Sequence, residues 1–369
     1  MSIEERFAKN IKMLRKKVNI TQKELAEAAG CSEKAVSKWE CAQSIPDIEV
    51  LLSLSSYLKT TVEALFADGG KAYLLGIDGG GTKTVLSLAE ADGTPIREIC
   101  TDCSNPIDIG IERATEILKK GIYDICEGLS FSSVVCFAGI AGCTSGGMEK
   151  HFDEFFSKFG FMAYKADTDN ANIIAAGLDS SDGITLILGT GVCSFLQKDG
   201  KRSQVGGRGY FIDNGGSAFD IGRDALITYY REKDGCGKKS KITLLMDKAG
   251  FTSPQNLLFH IYDKGKKYVA SFAHFVYEAA RIGDKTANDI IKHNMENAAI
   301  FVLANAEKLS TKKIPLILAG GLTNDPLTIS YLKTSLGNKY DFDIRKLDCE
   351  PVSGAVRLAK KMYKETLKK

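Results

Sequence analysis

Three apolar runs in this chain each empty directly into a glycine-rich loop, and that pattern constrains the fold most. Ala72-Tyr73-Leu74-Leu75-Gly76-Ile77-Asp78 precedes Gly79-Gly80-Gly81-Thr82-Lys83-Thr84. Ile184–Leu188 precedes Gly189-Thr190-Gly191-Val192-Cys193-Ser194, and Ile314–Leu318 precedes Ala319-Gly320-Gly321-Leu322-Thr323. Short apolar runs bounded by turn residues read as buried strands. The first is followed by a second strand, Val85–Ala89, and an Asp92-Gly93 turn. A glycine loop between two strands is not the dinucleotide fingerprint, in which the loop opens a helix. The Walker pattern Gly-x-x-x-x-Gly-Lys-Ser/Thr is also absent. Bare glycines still let backbone N–H groups close on phosphate oxygens. Thr82 and Lys83 add a hydroxyl and a cation, and Asp78 stands where it could hold Mg²⁺ through water.

Glycine is also the one compositional outlier. The chain has 36 glycines in 369 residues, where average usage gives about 26. Gly30 is the only one before Gly69, so the surplus belongs to the body. That length suggests two or three structural units. Apolar residues at 44% and charged residues at 26% exclude wholesale disorder. A net charge of +3 does not by itself mark a nucleic-acid binder. The start, MSIEERFAKN, lacks the apolar core of a signal peptide, and no later run approaches 18 apolar residues. A cytoplasmic protein with no membrane partner is expected, its ten cysteines remaining thiols. Cys100 and Cys103 have no second Cys-x-x-Cys to complete a zinc site.

The glycine-poor head reads as helices. Ile3, Phe7, Ile11 and Leu14 recur at helical spacing. Thr21 with Glu24 forms a capping box that starts a helix. Gly30 suits the left-handed turn that ends it, and Ser32 caps the next helix, running from Glu33 to about Trp39. The stretch TQKELAEAAGCSEKAVSKWE resembles the Cro/repressor (XRE) type of helix-turn-helix over about residues 5–66. Leu25, Ala26, Gly30, Val36 and Trp39-Glu40 stand at its core and turn positions, with Ile48, Leu51, Leu52, Leu54 and Leu65 expected to pack from the last two helices. The resemblance implies that the second helix reads double-stranded operator DNA. Glu33, Lys34, Ser37 and Lys38 would face the bases, and Gln22 a phosphate or base. Arg6, Lys9, Lys12, Arg15, Lys16 and Lys17 form a basic cluster suited to phosphates. Such heads usually read paired half-sites, so a homodimer is expected.

The order of the three glycine loops resembles the superfamily of sugar kinases, heat-shock chaperones and actin. Within it, the body resembles the BadF/BadG-type ATPase family, which includes the N-acetylglucosamine kinases, over roughly residues 72–362. Ser104-Asn105-Pro106, Ala138–Gly142, Thr168-Asp169-Asn170-Ala171, Gly206–Tyr210, Gly216–Arg223 and Pro351 with Gly354-Ala355 carry that resemblance in order. The implied fold is α/β: two RNase H-like lobes of the actin-like ATPase kind, preceded by the all-α helix-turn-helix domain. We expect the head at 1–66, a linker at 67–71, and lobes at 72–181 and 182–369. A late helix, Pro351 to Lys368, would pack back on the first lobe.

The resemblance implies ATP and Mg²⁺ as cofactors and a sugar as acceptor. Gly79, Gly80, Gly81, Thr82, Lys83, Gly189, Thr190 and Gly191 would face the phosphates, and Gly320 and Gly321 the adenosine. Asp169 would be the general base, Asp78 the metal-side acid, and Asn105, Gly206, Gly207 and Asn214 sugar contacts. Asp169 can equally cap the helix that follows it. Gly76, Gly79, Gly80, Gly81, Gly189, Gly191, Gly206, Gly207, Gly209, Gly215, Gly216, Gly320 and Gly321 all fall in segments expected to face ligand, about matching the surplus.

One segment departs from the family. Where the sugar kinases carry Gly-Asp-Glu before Gly-Ser, this chain has Asp213-Asn214-Gly215. An acidic pair that helps hold sugar hydroxyls is replaced, and Asp213 could swing in for it. Three functions follow. The first is a DNA-tethered kinase of an amino sugar such as N-acetylglucosamine. The second is a transcriptional regulator whose body senses a sugar without efficient turnover. The cysteine-rich zinc motif of the better-known sugar repressor-kinases is absent. The third is an iron–sulfur ATPase activator of a dehydratase, with Cys136 and Cys143 as candidate cluster ligands.

Overall fold

The structure, a computed structural model, describes residues 2–66, 71–311 and 313–367. Residues 67–70 of the expected linker and Lys368 lie outside them. Contacts divide the chain into two units, Met1–Ala176 with Glu350–Lys369, and Gly177–Cys349.

The head is five helices: α1 (Ile3–Lys17), α2 (Gln22–Ala28), α3 (Glu33–Glu40), α4 (Ile48–Tyr57) and α5 (Val62–Phe66). Capping boxes at Ser2/Glu5 and Thr21/Glu24 satisfy N–H groups that open α1 and α2. Ser32 and Asp47 cap α3 and α4. Gly30 takes φ +66° between α2 and α3. Phe7, Ile11, Leu25, Val36, Leu54 and Leu65 are fully buried around Trp39. Two expected core residues are not there: Ile48 is 75% exposed and Leu52 57%. The buried stripe of α4 is Leu51, Leu54, Ser55 and then Leu58, at i, i+3, i+4 and i+7. Leu52 stands off that stripe, and Ile48 projects N-terminally of it.

Two five-stranded sheets follow. The first contains β1 (Tyr73–Gly79), β2 (Lys83–Glu90), β3 (Pro95–Asp102), β4 (Val134–Ile140) and β5 (Ala163–Asp167), with helices α6 (Pro106–Ile109), α7 (Ile111–Ile125), α8 (Met148–Ser157) and α9 (Asp169–Leu178). Its order is β3-β2-β1-β4-β5. The hairpin strands are antiparallel, while β1, β4 and β5 run parallel. The second contains β6 (Gly183–Leu188), β7 (Val192–Lys198) and β8 (Lys201–Gly206). Then come α10 (Ala218–Lys233), α11 (Lys241–Lys248), α12 (Pro254–Ser271), α13 (Ala273–Arg281) and α14 (Lys285–Ala306), followed by β9 (Lys313–Ala319), α15 (Pro326–Leu336) and β10 (Asp341–Lys346). Its order, β10-β9-β6-β7-β8, repeats the first sheet's topology. Two mixed sheets of this kind, with a helical head before them, are the fold class the resemblance implies. The last helix, α16 (Pro351–Thr366), packs on β1, β2 and β4.

Burial explains the strands. On β1, Leu75 and Ile77 face a core built with Leu118 and Ile122 of α7 and Phe152 of α8. Leu74 faces the other way, onto Ala355 and Ala359 of α16. Alternate residues of a central strand thus bury both faces, each large side chain contributing roughly 1.5–3 kcal/mol. Both phosphate-loop candidates are tighter than expected. Lys83 and Thr84 already belong to β2, because Gly80 N–H donates to Lys83 O at 3.0 Å and closes the turn. Val192–Ser194 belong to β7, because Gly189 N–H donates to Gly191 O at 2.9 Å. Gly76 corrects the glycine expectation. It is covered by α16, and a Cβ there would lie 2.7 Å from Val356 N and 3.0 Å from Val352 O. Its missing side chain admits a helix, not a ligand.

Candidate functional site

In the head, Val36 and Trp39 face inward, leaving Glu33, Lys34 and Lys38 exposed and Ser37 partly so. Lys9, Lys12, Lys16 and Lys17 of the basic cluster are exposed. Arg15 is not part of that surface. Its Nε donates to Glu40 Oε1 at 2.6 Å and its Nη1 to Ile20 O at 2.8 Å. Gln22 Nε2 also donates to Glu40 Oε2, at 2.8 Å. Burial pushes the Glu40 carboxyl up, but the bonds from Arg15 and Gln22 outweigh it and hold it below its ordinary value. Arg15, Gln22 and Glu40 therefore tie α1, α2 and α3 together.

In the first unit, the candidates gather at the carboxyl ends of the parallel strands, where open α/β sheets place their ligands. Asp78, Gly139 and Asp167 stand in register across β1, β4 and β5. Asp169 opens α9 just beyond β5, and its Oδ1 accepts from Asn170 N–H at 3.0 Å. Ser104 N–H reaches Gly80 O at 3.3 Å, which brings Asn105 beside the first glycine loop. Asn105 caps α6: its Oδ1 accepts from Ile107 N–H at 3.1 Å, and its Nδ2 donates to Asp108 at 2.9 Å. Burial raises both acids. Asp78 is pushed up to about 6 by burial, helped by the charges of Asp169 and Glu350 and opposed by a bond from Asn172 and the charge of Lys83. Asp169 is raised by burial and eased by backbone N–H groups. Lys83 and Thr82 are exposed beside them.

In the second unit, Gly189, Thr190 and Gly191 line a cavity of about 320 Å³ with Cys193, Gly207, Gly209, Tyr210, Asp213, Ser217 and Asp220. A Cβ on Gly191 would meet nothing within 4 Å, so the loop's backbone is open to an approaching group. Gly320, at φ +95°, packs on the second loop, and a Cβ there would lie 2.5 Å from Leu188 O and 3.0 Å from Gly189 N. Gly321 begins a short 3-10 turn with open space around it. Gly206 lies against Phe301 and Gly207 against Gln204. Asp213 accepts from Arg208 N–H and Gly209 N–H at 2.5 and 3.1 Å, which folds the turn at the cavity rim. Asn214 is exposed, its Oδ1 accepting from Arg223 Nη2 at 3.3 Å. Gly215 is at φ +92°, and a Cβ there would lie 2.4 Å from Asn297 Nδ2. Asn297 of α14 thus fills the space that a side chain at 215 would need.

Sequence reasoning passed over Asn172, Asn297 and Asp220. The sign for Asn172 was a polar residue inside the apolar face of Thr168–Gly177. Asp220 is 2% exposed, accepts from Ser217 N–H at 3.2 Å in the capping box that opens α10, and lies 3.3 Å from Arg223. Cys136 and Cys143 correct the cluster-ligand expectation. Both are fully buried in the core against α7 and α8, and burial pushes Cys143 up to about 12 and Cys136 well above its usual value. Neither can reach a surface shared with another chain. Among the described residues no three His, Cys, Asp or Glu side chains converge as a metal cage. Asp78 suits Mg²⁺, which keeps several waters and takes one or two carboxylates beside substrate phosphates. No helix among the described residues is long and apolar enough to cross a membrane.

The profile of the BadF/BadG/BcrA/BcrD ATPase family matches residues 75–359, and a helix-turn-helix profile matches residues 11–65. The chain is similar to the N-acetylmuramic acid/N-acetylglucosamine kinase of Clostridium acetobutylicum, 30% identical over 271 residues, covering 70% of this chain and 87% of that one. Its head is similar to the HTH-type transcriptional activator BcrR of Enterococcus faecalis, 34% identical over 61 residues, covering 16% of this chain and 30% of that one. Among solved structures, a proposed N-acetylglucosamine kinase from Chromobacterium violaceum shares the fold. The TM-score is 0.64 at 23% identity, covering 78% of this chain and 99% of that one.

Proposed function

Because the chain belongs to the BadF/BadG/BcrA/BcrD ATPase family, we propose that its body is an ATP- and Mg²⁺-dependent kinase of an amino sugar such as N-acetylglucosamine. The head tethers that body to double-stranded operator DNA as a homodimer. The observation that carries the kinase reading is the pair of half-buried acids, Asp78 near the end of β1 and Asp169 at the start of α9, in the same unit as the Gly79–Gly81 turn. Asp169 takes the proton of the sugar hydroxyl as that oxygen bonds to the γ-phosphorus. The bond from γ-phosphorus to the bridging oxygen breaks, and ADP leaves with its electron pair. Asp78 holds the metal side, where Mg²⁺ would offset phosphate charge. Lys83, Thr82 and the Gly79–Gly81 turn hold phosphate, as do Gly189, Thr190 and Gly191; Gly320 and Gly321 lie against adenosine. Asn105, Gly206, Gly207 and Asn214 contact the sugar. The basic face of α1 and the N-terminal half of α3 contact DNA, Gln22 keeping its structural bond to Glu40.

A second reading is favoured by one observation. With Gly215 bare and its space held by Asn297, Asn214 and Gly215 stand where the family carries the acidic pair for sugar hydroxyls, as in a body that senses a sugar rather than turning it over. A panel of amino sugars and hexoses with ATP and Mg²⁺ separates the two. Phosphorylated product is expected, and Asp169→Asn should abolish it while leaving ATP binding intact. Intact ATP with every sugar would sink the kinase reading.

A further inference from the structure

Asn172 lies on α9 three residues after Asp169, fully buried. Its Nδ2 stands 2.8 Å from Asp78 Oδ1, 3.1 Å from Ile77 O and 3.3 Å from Gly139 O. An amide nitrogen has two hydrogens. One is given to the Asp78 carboxylate, and the other is shared by carbonyls of two adjacent parallel strands. The surroundings leave this group no other place. A Cβ on Gly139 would fall 2.3 to 2.5 Å from its amide atoms, and a Cβ on Gly354 of α16 would fall 1.9 Å from its backbone oxygen. Asn172 Oδ1 is buried with no hydrogen-bond partner, an unfavourable state that persists because the nitrogen must face three oxygens.

We propose that Asn172 is the positioning residue of the Asp78 carboxylate, aiming it toward the metal and the phosphates. The claim rests on the kinase reading for its effect on turnover, but not for its effect on metal binding. The amide occupies one lone pair of Oδ1 and fixes the rotation of the carboxylate, while Oδ2 takes no hydrogen bond among the described residues. Gly139 is bare to make room for that amide. Aspartate at 172 would set a second carboxylate against Asp78 and two carbonyls. Alanine would free the Asp78 side chain to turn.

The test is a cycle of Asn172→Ala, Gly139→Ala and the double variant in the full chain. Outer-shell partners of this kind typically contribute about 10- to 100-fold to metal affinity or activity. Each single variant should weaken Mn²⁺·ATP binding, followed by electron paramagnetic resonance, by about 10-fold or more. Affinity for ATP in EDTA should hold. The kcat should fall in parallel while the KM for sugar stays within about threefold of wild type. The double variant should be no worse than either single one, because with the amide gone the methyl has room. Should Asn172→Ala fail to fold, Asn172→Ser, which keeps a donor, is measured instead and should retain part of the affinity. Wild-type Mn²⁺ affinity in the folded single variants, or additive losses in the double, would overturn the proposal. A wild type that binds Mn²⁺·ATP and phosphorylates no sugar would sink the kinase reading alone, and the Mn²⁺ measurements would still decide Asn172.

Discussion

Replacing Asp78 with asparagine should make the protein more stable at neutral pH while removing its metal-dependent chemistry. Burial is the chief cause of the raised Asp78 value, which moves from an ordinary 3.8 to about 6. Folding therefore favours the protonated form, and at pH 7 the folded chain carries a charge it holds poorly. That displacement corresponds to a ceiling of roughly 3 kcal/mol at neutral pH. Asp78 is partly exposed, so solvent screening reduces the gain to about 1–2 kcal/mol. Asn172 can donate to an amide oxygen as it does to a carboxylate, so the bond between them survives. The sign follows from linkage. The folded acid binds its proton more tightly than the unfolded one, so the penalty is full above pH 6 and fades as pH falls toward 3.8. Thermal melts of Asp78→Asn and wild type should differ by about 2–6 °C at pH 7 and converge near pH 4. ATP binding in EDTA should be kept, and Mg²⁺-dependent transfer should be lost. An equal difference at both pH values, or none at pH 7, would refute the argument.

Three further outcomes are expected. Gly354→Ala drives a methyl to within 1.9 Å of Asn172 O and 2.6 Å of Ala176 N; overpacking of that kind costs about 1–3 kcal/mol or more, seen as a lower melting temperature. Arg15→Ala leaves the Glu40 side chain, 3% exposed, without its guanidinium. Removing one partner of this part-buried pair, while Gln22 still donates to Glu40, costs about 1–3 kcal/mol, and the sole tryptophan, Trp39, sits in the head core to report it by fluorescence. Lys34→Ala should weaken binding to the gene's own upstream DNA in a gel shift, and an unchanged affinity would remove Lys34 from the interface.

The head was readable almost residue by residue, because its signals are local. Thr21 with Glu24, Gly30, and Ser32 one residue before α3 act within a few positions of themselves. Its misreadings were also about distance. Arg15 looked like one more surface cation until α3 brought Glu40 to it, 25 residues away. Ile48 and Leu52 looked like core until the neighbouring helices chose another stripe of α4.

The glycine loops show the same division in the body. By itself the sequence determined that three apolar strands run into glycine loops and which positions there lack side chains, because strand period and turn chemistry are properties of short segments; the two-lobed arrangement came from the family resemblance. Only the tertiary structure decided what each bare position is for. Gly76 admits α16, Gly354 lets α16 close on α9, Gly139 admits the Asn172 amide, and Gly215 yields its space to Asn297. The bond from Asn172 to Asp78 spans 94 residues. It exists because parallel pairing of β1 with β4 and the close approach of α9 fix where an amide can lie, and neither is written in the residues around it.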